Sequence, residues 1–319
     1  MPSYAAHRLF WYTITHPRSG GLRAFVLALI ALALSGVAAQ AQSTAPRIVA
    51  VGGSVTEILY DLGLEQQIVG VDTTSVFPAS ALKNKPNVGY MRALSAEGVL
   101  SLNPTLVLLL DGSGPPDALK VLKSSGEASG LRIVTIPDAP SAAGVLAKIR
   151  AIGAATGHED EAEQLAGEVE RRFTLLDALR AKVSTPARAL FVLGFQGGRP
   201  MVAGDGTTAA GILDLSGAVN AVSGFSGYKQ ITDEAIITSA PEVIVAMAHG
   251  GPSPVSGELF TRPAFSATPA AREQRLVTRD GQFLLGFGPR TPQAAADLLH
   301  ALYPSLPIPD ELAHNPAAP

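Results

Sequence analysis

A string that occurs twice restricts this chain more than any other feature. The first copy reads Val88-Gly89-Tyr90-Met91-Arg92-Ala93-Leu94-Ser95-Ala96-Glu97, and the second Gly227-Tyr228-Lys229-Gln230-Ile231-Thr232-Asp233-Glu234. Each leads to the same sequel, Leu102-Asn103-Pro104-Thr105-Leu106-Val107-Leu108-Leu109-Leu110 in one case and Ser239-Ala240-Pro241-Glu242-Val243-Ile244-Val245-Ala246-Met247 in the other. The register is identical from the glutamates through the prolines, and the copies differ by one residue between tyrosine and glutamate. A chain of 319 residues exceeds the comfortable size of a single core. The duplication therefore predicts two similar lobes, each offering a tyrosine with a basic neighbour on a loop.

The pattern around the repeats supports an α/β fold class. Arg47-Ile48-Val49-Ala50-Val51 is a short apolar strand that breaks at Gly52-Gly53, and Ser54 and Glu57 then have the spacing of a capping box, predicting a helix over 55–61. Further strands are expected at 68–72, 106–110 and 132–136, with helices between them, an alternation that indicates parallel βαβ units. A helical stretch opens at Pro140-Ser141 with interruptions at Gly153 and Gly157. The longest helical pattern covers 159–183, with Leu165, Val169, Phe173, Leu176 and Leu179 at spacings of three and four, acids early and Arg171, Arg172, Arg180 and Lys182 late. At 1.5 Å per residue it makes a rod of roughly 37 Å, long enough to join two lobes.

After Pro186 the rhythm restarts with Ala189-Leu190-Phe191-Val192-Leu193, a glycine turn at Gly197-Gly198, and Met201-Val202-Ala203. Asp205-Gly206-Thr207-Thr208 opens a helix to about 215, and a last helix follows Pro292. The expected organisation is a leader at 1–41, an N-terminal α/β lobe at 42–157, a linker helix at 158–184 and a C-terminal α/β lobe at 185–319. Two βα lobes with parallel sheets, one long linker helix and a ligand cleft between the lobes make up the predicted fold.

Residues 1–41 carry Arg8, Arg18 and Arg23 and no acid, an apolar run over 24–34, and the small-residue ending Ala39-Gln40-Ala41. That is the layout of a cleaved signal peptide, which predicts export to the periplasm. The apolar run is shorter than the roughly 20 residues a membrane span needs, and no later segment qualifies, so no membrane insertion of the mature chain is expected. Removal of three arginines leaves 21 basic against 27 acidic side chains, a net charge of −6 in place of −3. No basic stripe remains to bind nucleic acid. With no cysteine, disulfides, thiolate metal sites and cysteine nucleophiles are all excluded.

Five motifs in order give the mature chain a family resemblance: Gly52-Gly53-Ser54-Val55-Thr56-Glu57, Val88-Gly89-Tyr90-Met91-Arg92, Leu94-Ser95-Ala96-Glu97, Gly224-Phe225-Ser226-Gly227-Tyr228, and Gly286-Phe287-Gly288-Pro289-Arg290-Thr291-Pro292. The chain resembles the periplasmic substrate-binding proteins of ABC importers whose lobes are joined by one long helix, and within them the haem-binding branch. That resemblance implies haem as the transported ligand and Tyr90 as the axial ligand of its iron. Phenolate is a hard anionic donor suited to ferric iron. A free phenol has a pKa of about 10, so a nearby cation is needed to favour the anion. If the loop is extended, Arg92 lies two residues along on the same face and supplies it. A loop tyrosine with its hydroxyl in water is the alternative.

Tyr228 is expected to stack on the porphyrin or bond a propionate, or else to be a structural ring. Arg290 resembles the family's propionate-contacting position, where a guanidinium suits a carboxylate, with a solvated arginine as the alternative. Glu97 and Glu234 each stand in the first turn of a helix, which the helix dipole alone would favour. The resemblance further implies that both dock on arginines of the ABC permease. Of the mature histidines His158, His249, His300 and His314, none has zinc-site spacing. No second axial ligand is evident near Phe195-Gln196-Gly197. Gly52-Gly53-Ser54 lacks a nucleophile elbow and Gly204-Asp205-Gly206-Thr207-Thr208 lacks the P-loop lysine, so no enzyme is indicated. The expected protein is a monomeric periplasmic carrier of haem. The same fold binding a corrinoid or ferric siderophore is the alternative, and a periplasmic enzyme or sensor a more distant one.

Overall fold

Ile48, Val49, Ala50 and Val51 are all fully buried, so the first strand must be covered on both faces, the condition of a parallel sheet between helices. The computed structural model describes residues 45–248 and 257–313; the expected signal peptide, His249 and His314 lie outside them. The first lobe runs β1 (Ile48–Val51), α1 (Gly53–Asp61), β2 (Ile68–Val71), α2 (Ser80–Asn84), β3 (Gly89–Tyr90), β4 (Ala93–Leu94), α3 (Ala96–Leu100), β5 (Leu106–Leu110), α4 (Pro116–Ser129) and β6 (Arg132–Ile136). Its main sheet has the order β2-β1-β5-β6, with every pair parallel.

Two helices follow, α5 (Ala142–Thr156) and α6 (Glu159–Arg180). The expected break at Gly153 is absent. A Cβ there would come within 2.3 Å of the Ala162 Cβ, so this glycine lets α5 and α6 cross closely instead. Gly157 does end α5, with a φ of 74° that suits glycine. The 22 residues of α6 span about 33 Å. Its Ala162, Ala166, Val169, Phe173, Leu176 and Leu179 are buried, and they join Ile149 and Ile152 of α5 in one core cluster that also holds residues of both sheets.

The second lobe comprises β7 (Arg188–Gln196), β8 (Arg199–Ala203), α7 (Thr208–Leu215), β9 (Val219–Asn220), β10 (Tyr228–Gln230), α8 (Asp233–Ser239), β11 (Val243–Ala248), α9 (Pro263–Ser266), α10 (Pro269–Arg272), β12 (Leu276–Asp280), α11 (Gly281–Leu285) and α12 (Thr291–Leu302). Its sheet has the order β10-β8-β7-β11-β12, with β9 beside the start of β7. This sheet is mixed, contrary to the expectation of parallel sheets in both lobes: β7, β11 and β12 are parallel, while β8 is antiparallel to β7 and β10. The cause is Gly197-Gly198, both at positive φ (59° and 78°), a two-residue loop that can join only antiparallel strands. From Pro46 onward the chain forms one compact unit.

The repeat is visible in backbone detail. Ser95 and Thr232 cap α3 and α8, their hydroxyls accepting from Gly98 N and Ala235 N. Val99 and Ile236 are the buried counterparts one turn on. Asn103 and Ala240 then both adopt positive φ, 47° and 44°, before the prolines that lead to β5 and β11. Asparagine tolerates this conformation, whereas alanine pays a Cβ penalty of roughly 1–2 kcal/mol. Ala240→Gly, after the entropy that glycine adds to the unfolded chain, is expected to stabilise the protein by about 0.5–1 kcal/mol in urea denaturation.

Candidate functional site

The site is built at the carboxyl ends of the first sheet, starting from Asp72, a fully buried carboxylate just after β2. Its Oδ1 accepts from Gly52 N at 2.9 Å, Thr74 Oγ1 at 2.9 Å and Ser75 Oγ at 3.1 Å, and its Oδ2 from Thr74 N at 3.1 Å. Thr74 Oγ1 in turn accepts from Gly53 N at 2.8 Å. The N-terminus of α1 is thus satisfied from outside. This overturns the capping-box reading of Ser54 and Glu57: α1 starts at Gly53 with no side-chain cap, and Ser54 Oγ accepts from Lys148 of its own lobe while Glu57 accepts from Arg290 of the other. Asp72 was not singled out from the sequence, although an aspartate followed by Thr-Thr-Ser is the composition of an Asx-type turn.

Next to this frame, β3 and β4 pair as a hairpin with Tyr90 opposite Ala93. Thr73 N donates to Gly89 O and Gly114 N to Met91 O, both at 2.9 Å, so the hairpin is tied to the loops after β2 and β5. Met91 is buried beneath it, while the Tyr90 ring is 45 % exposed. Met91 and Arg92 form the turn. The extended loop that would put Tyr90 and Arg92 on one face is therefore not what forms, because Met91 and Arg92 reverse the chain between Tyr90 and Ala93. Arg92 is exposed at the tip, and among the described residues no hydrogen bond joins Tyr90 to Arg92, Tyr228 or Arg290.

Counted back from the matched glutamates, Gly227 and not Tyr228 occupies the place of Tyr90. The one-residue difference removes the hairpin, and Tyr228 enters β10 opposite Ala203. Through β8 it lies level with the middle of β7 rather than its carboxyl end. Tyr228 is partly buried against the core, with its hydroxyl 3.3 Å from Thr208 Oγ1. Its neighbour Lys229 places Nζ 5.4 Å from the Phe225 ring centroid. Glu97 and Glu234 are both exposed in the first turns of α3 and α8. Hydrogen bonds from its own backbone N–H and the Thr232 hydroxyl hold the Glu234 carboxyl below its usual range.

Arg290 is engaged by a residue of the other lobe. Its backbone N, Nε and Nη2 donate to the buried Glu57 carboxylate at 3.2, 3.0 and 3.0 Å. The guanidinium carbon lies 3.4 Å from the Phe77 ring centroid and 5.5 Å from that of Phe283. Nearby, the fully buried Lys148 amine donates to Asp138 Oδ1 at 2.6 Å, Phe287 O at 3.0 Å and Ser54 Oγ at 3.1 Å. Burial pushes its pKa down and Asp138 opposes that shift. Sequence reading missed Lys148, which with Arg150 makes the two cations in the otherwise apolar run of α5. It also missed Arg262, whose guanidinium sits 4.0 Å from the Phe195 ring centroid near the carboxyl end of β7. Among the described residues no cluster of three His, Asp or Glu side chains forms a metal site, and no helix is long and apolar enough to cross a membrane. A surface hollow of about 470 Å³ on α6, lined by Arg171, Arg172, Thr174, Leu175 and Glu311, includes none of the expected site residues.

Two α/β lobes, a helix spanning their junction and an exposed tyrosine at the carboxyl edge of one sheet put the candidate ligand site at the carboxyl ends of the strands. The chain belongs to the periplasmic binding protein family, whose model matches residues 48–282. It is similar to YvrC of Bacillus subtilis (strain 168), an uncharacterized ABC transporter substrate-binding lipoprotein, with 31% identity over 264 residues covering 81% of this chain and 80% of that one. Among solved structures it resembles the periplasmic heme-binding protein BhuT in complex with two hemes (TM-score 0.75, 37% identity, 82% of this chain and 99% of that chain). It also resembles the periplasmic heme-binding protein RhuT from Roseiflexus sp. RS-1 in apo form (TM-score 0.76, 34% identity, 82% and 100%). A vitamin B12-binding protein of Yersinia pseudotuberculosis is 26% identical over 227 residues, 70% of this chain and 77% of that one.

The buried amine gives a test of the junction. Asp138→Asn leaves Lys148 without its counter-charge and is expected to cost about 3 kcal/mol near neutral pH. Because the folded amine has a depressed pKa, the unfolded chain binds more protons below the ordinary lysine pKa, and stability rises with pH. Part of the loss should therefore be recovered between neutral pH and about pH 10, measured as urea midpoints against pH.

Proposed function

We propose that this protein captures haem in the periplasm, as a monomer, and delivers it to an ABC permease. The observation that carries the reading is the Tyr90 phenol, exposed on a hairpin that is itself hydrogen-bonded to the loops after β2 and β5. A hard oxygen donor held on a fixed scaffold suits ferric iron and loses little freedom on binding it. Arg92 at the turn and, across the second lobe, Lys229 offer cations for propionates. Tyr228 enters the reading as a ring contact from its edge strand. Arg290 contributes to propionate binding only through Nη1, the nitrogen that the Glu57 pair leaves. The haem-binding structures cited above, at identities of 34% and more, support the choice of ligand.

Delivery rests on Glu97 and Glu234, exposed at equivalent places of the two lobes, where a permease could meet both with basic side chains. A corrinoid is the second reading, favoured by the relatives named vitamin B12-binding proteins. A ferric siderophore and an enzyme or sensor built on the same clamp have less to support them.

Titration of the exported, ligand-free protein with hemin and separately with cobalamin tests the ligand. Hemin is expected to give a Soret band with the charge-transfer band of a phenolate-ligated ferric haem. Tyr90→Ala should lose that band and bind at least about tenfold more weakly, roughly 1.4 kcal/mol. Identical hemin spectra in both proteins would remove Tyr90 from the iron, and binding of cobalamin alone would favour the corrinoid. For delivery, Glu97→Lys combined with Glu234→Lys should leave hemin titration unchanged and abolish uptake in cells that depend on this importer.

A further inference from the structure

The polar contacts of the first lobe with the second converge on one segment. Gln282, Phe283, Phe287, Gly288 and Arg290 all belong to the connection between β12 and α12, and all meet residues of the first lobe or support those that do. Arg290 forms its three hydrogen bonds to Glu57 and stacks on Phe77. Phe287 O accepts from Lys148 and sits at a φ of 47°, a conformation that a bulky residue keeps only when its surroundings impose it. Gly288 passes so close to Glu57 that a Cβ would lie 3.2 Å from the carboxyl carbon. On the other side, a Cβ at Gly53 would meet the Gln282 amide at 2.3 Å.

We propose that the Glu57–Arg290 pair, clamped by Phe77, sets the separation of the two lobes, so that these are positioning residues for the ligand cleft. The apolar core that α5, α6 and α12 share with both sheets holds the lobes together, but burial of apolar surface is non-directional. The bidentate pair adds a second, directional attachment, because a guanidinium and a carboxylate satisfy each other only when coplanar and in register. The flat face of Arg290 is then held against Phe77, which shields one side of the guanidinium from water. Opening the lobes would strand a carboxylate that is 4% exposed. In this arrangement Arg290 serves the cleft mainly through its width, and the ligand meets two edges already spaced for it.

The inference concerns the ligand-free protein and stands whether the cargo is haem or a corrinoid. The chain has no cysteine, so Lys120→Cys and Glu273→Cys introduce the only thiols for spin labels, one on each lobe. Pulsed dipolar spectroscopy on the otherwise unaltered protein should give one narrow interlobe distance. Glu57→Gln and, separately, Phe77→Leu should broaden or lengthen it while circular dichroism shows the fold retained. Phe77→Leu leaves no unpaired charge, so it keeps the test open if Glu57→Gln folds poorly. Where hemin binds, its transfer to excess apomyoglobin should become about tenfold faster in both variants, with the Soret position unmoved because Tyr90 is intact. An unchanged distance distribution in a folded variant overturns the proposal. Failure of the unaltered protein to bind hemin, with a broadened distance in the variants, would overturn the haem reading and leave this one standing.

Discussion

The arrangement depends on a carboxylate and a guanidinium meeting across the lobe boundary, with Glu57 buried in the middle of α1 and Arg290 at the start of α12. Burying such a pair gains little net stability, since desolvation cancels much of the attraction. What it provides is direction, because only one relative placement of the lobes satisfies both partners. Lys148 adds a second constraint of the same kind, with an amine that reaches Asp138 in its own lobe and the Phe287 carbonyl in the other. A continuous apolar core through α5, α6 and α12 supplies the bulk of the cohesion, and the charged contacts decide its geometry.

The same division holds within the first lobe. The hydrophobic strands fix the parallel sheet, but the Tyr90 hairpin rests on polar bonds: Asp72 organises the turn after β2, and Thr73 and Gly114 carry the hairpin from either side. A tyrosine on a short hairpin would be mobile if its own two strands were its only support. Tying it to the carboxyl ends of β2 and β5 makes it part of the sheet's rigid edge. The second lobe has no such hairpin, since the missing residue turns its copy of the string directly into β10. Two lobes that descend to matching helix caps therefore present different surfaces above them.

Several features were legible because they are local. The strands β5 and β11, the helix that opens at Ser141 and the first-turn places of Glu97 and Glu234 follow from short-range pattern. Gly153 misled because a glycine tolerated for close helix packing is spelled the same way as one that ends a helix. Ser54 and Glu57 misled because capping-box spacing says nothing about partners 90 or 230 residues away. Arg92 was placed beside Tyr90 by assuming an extended loop, and a two-residue turn broke that alternation.

By itself the sequence determined the α/β class, the duplication, the long helix and the candidate tyrosine, since each is written in periodicity, spacing or motif within a few tens of residues. The tertiary structure alone decided that Ser54 faces Lys148, that Asp72 holds the start of α1, and that Arg290 faces Glu57. Those outcomes turn on which distant groups are left buried together without water, and a buried charge takes the partner that folding brings to it.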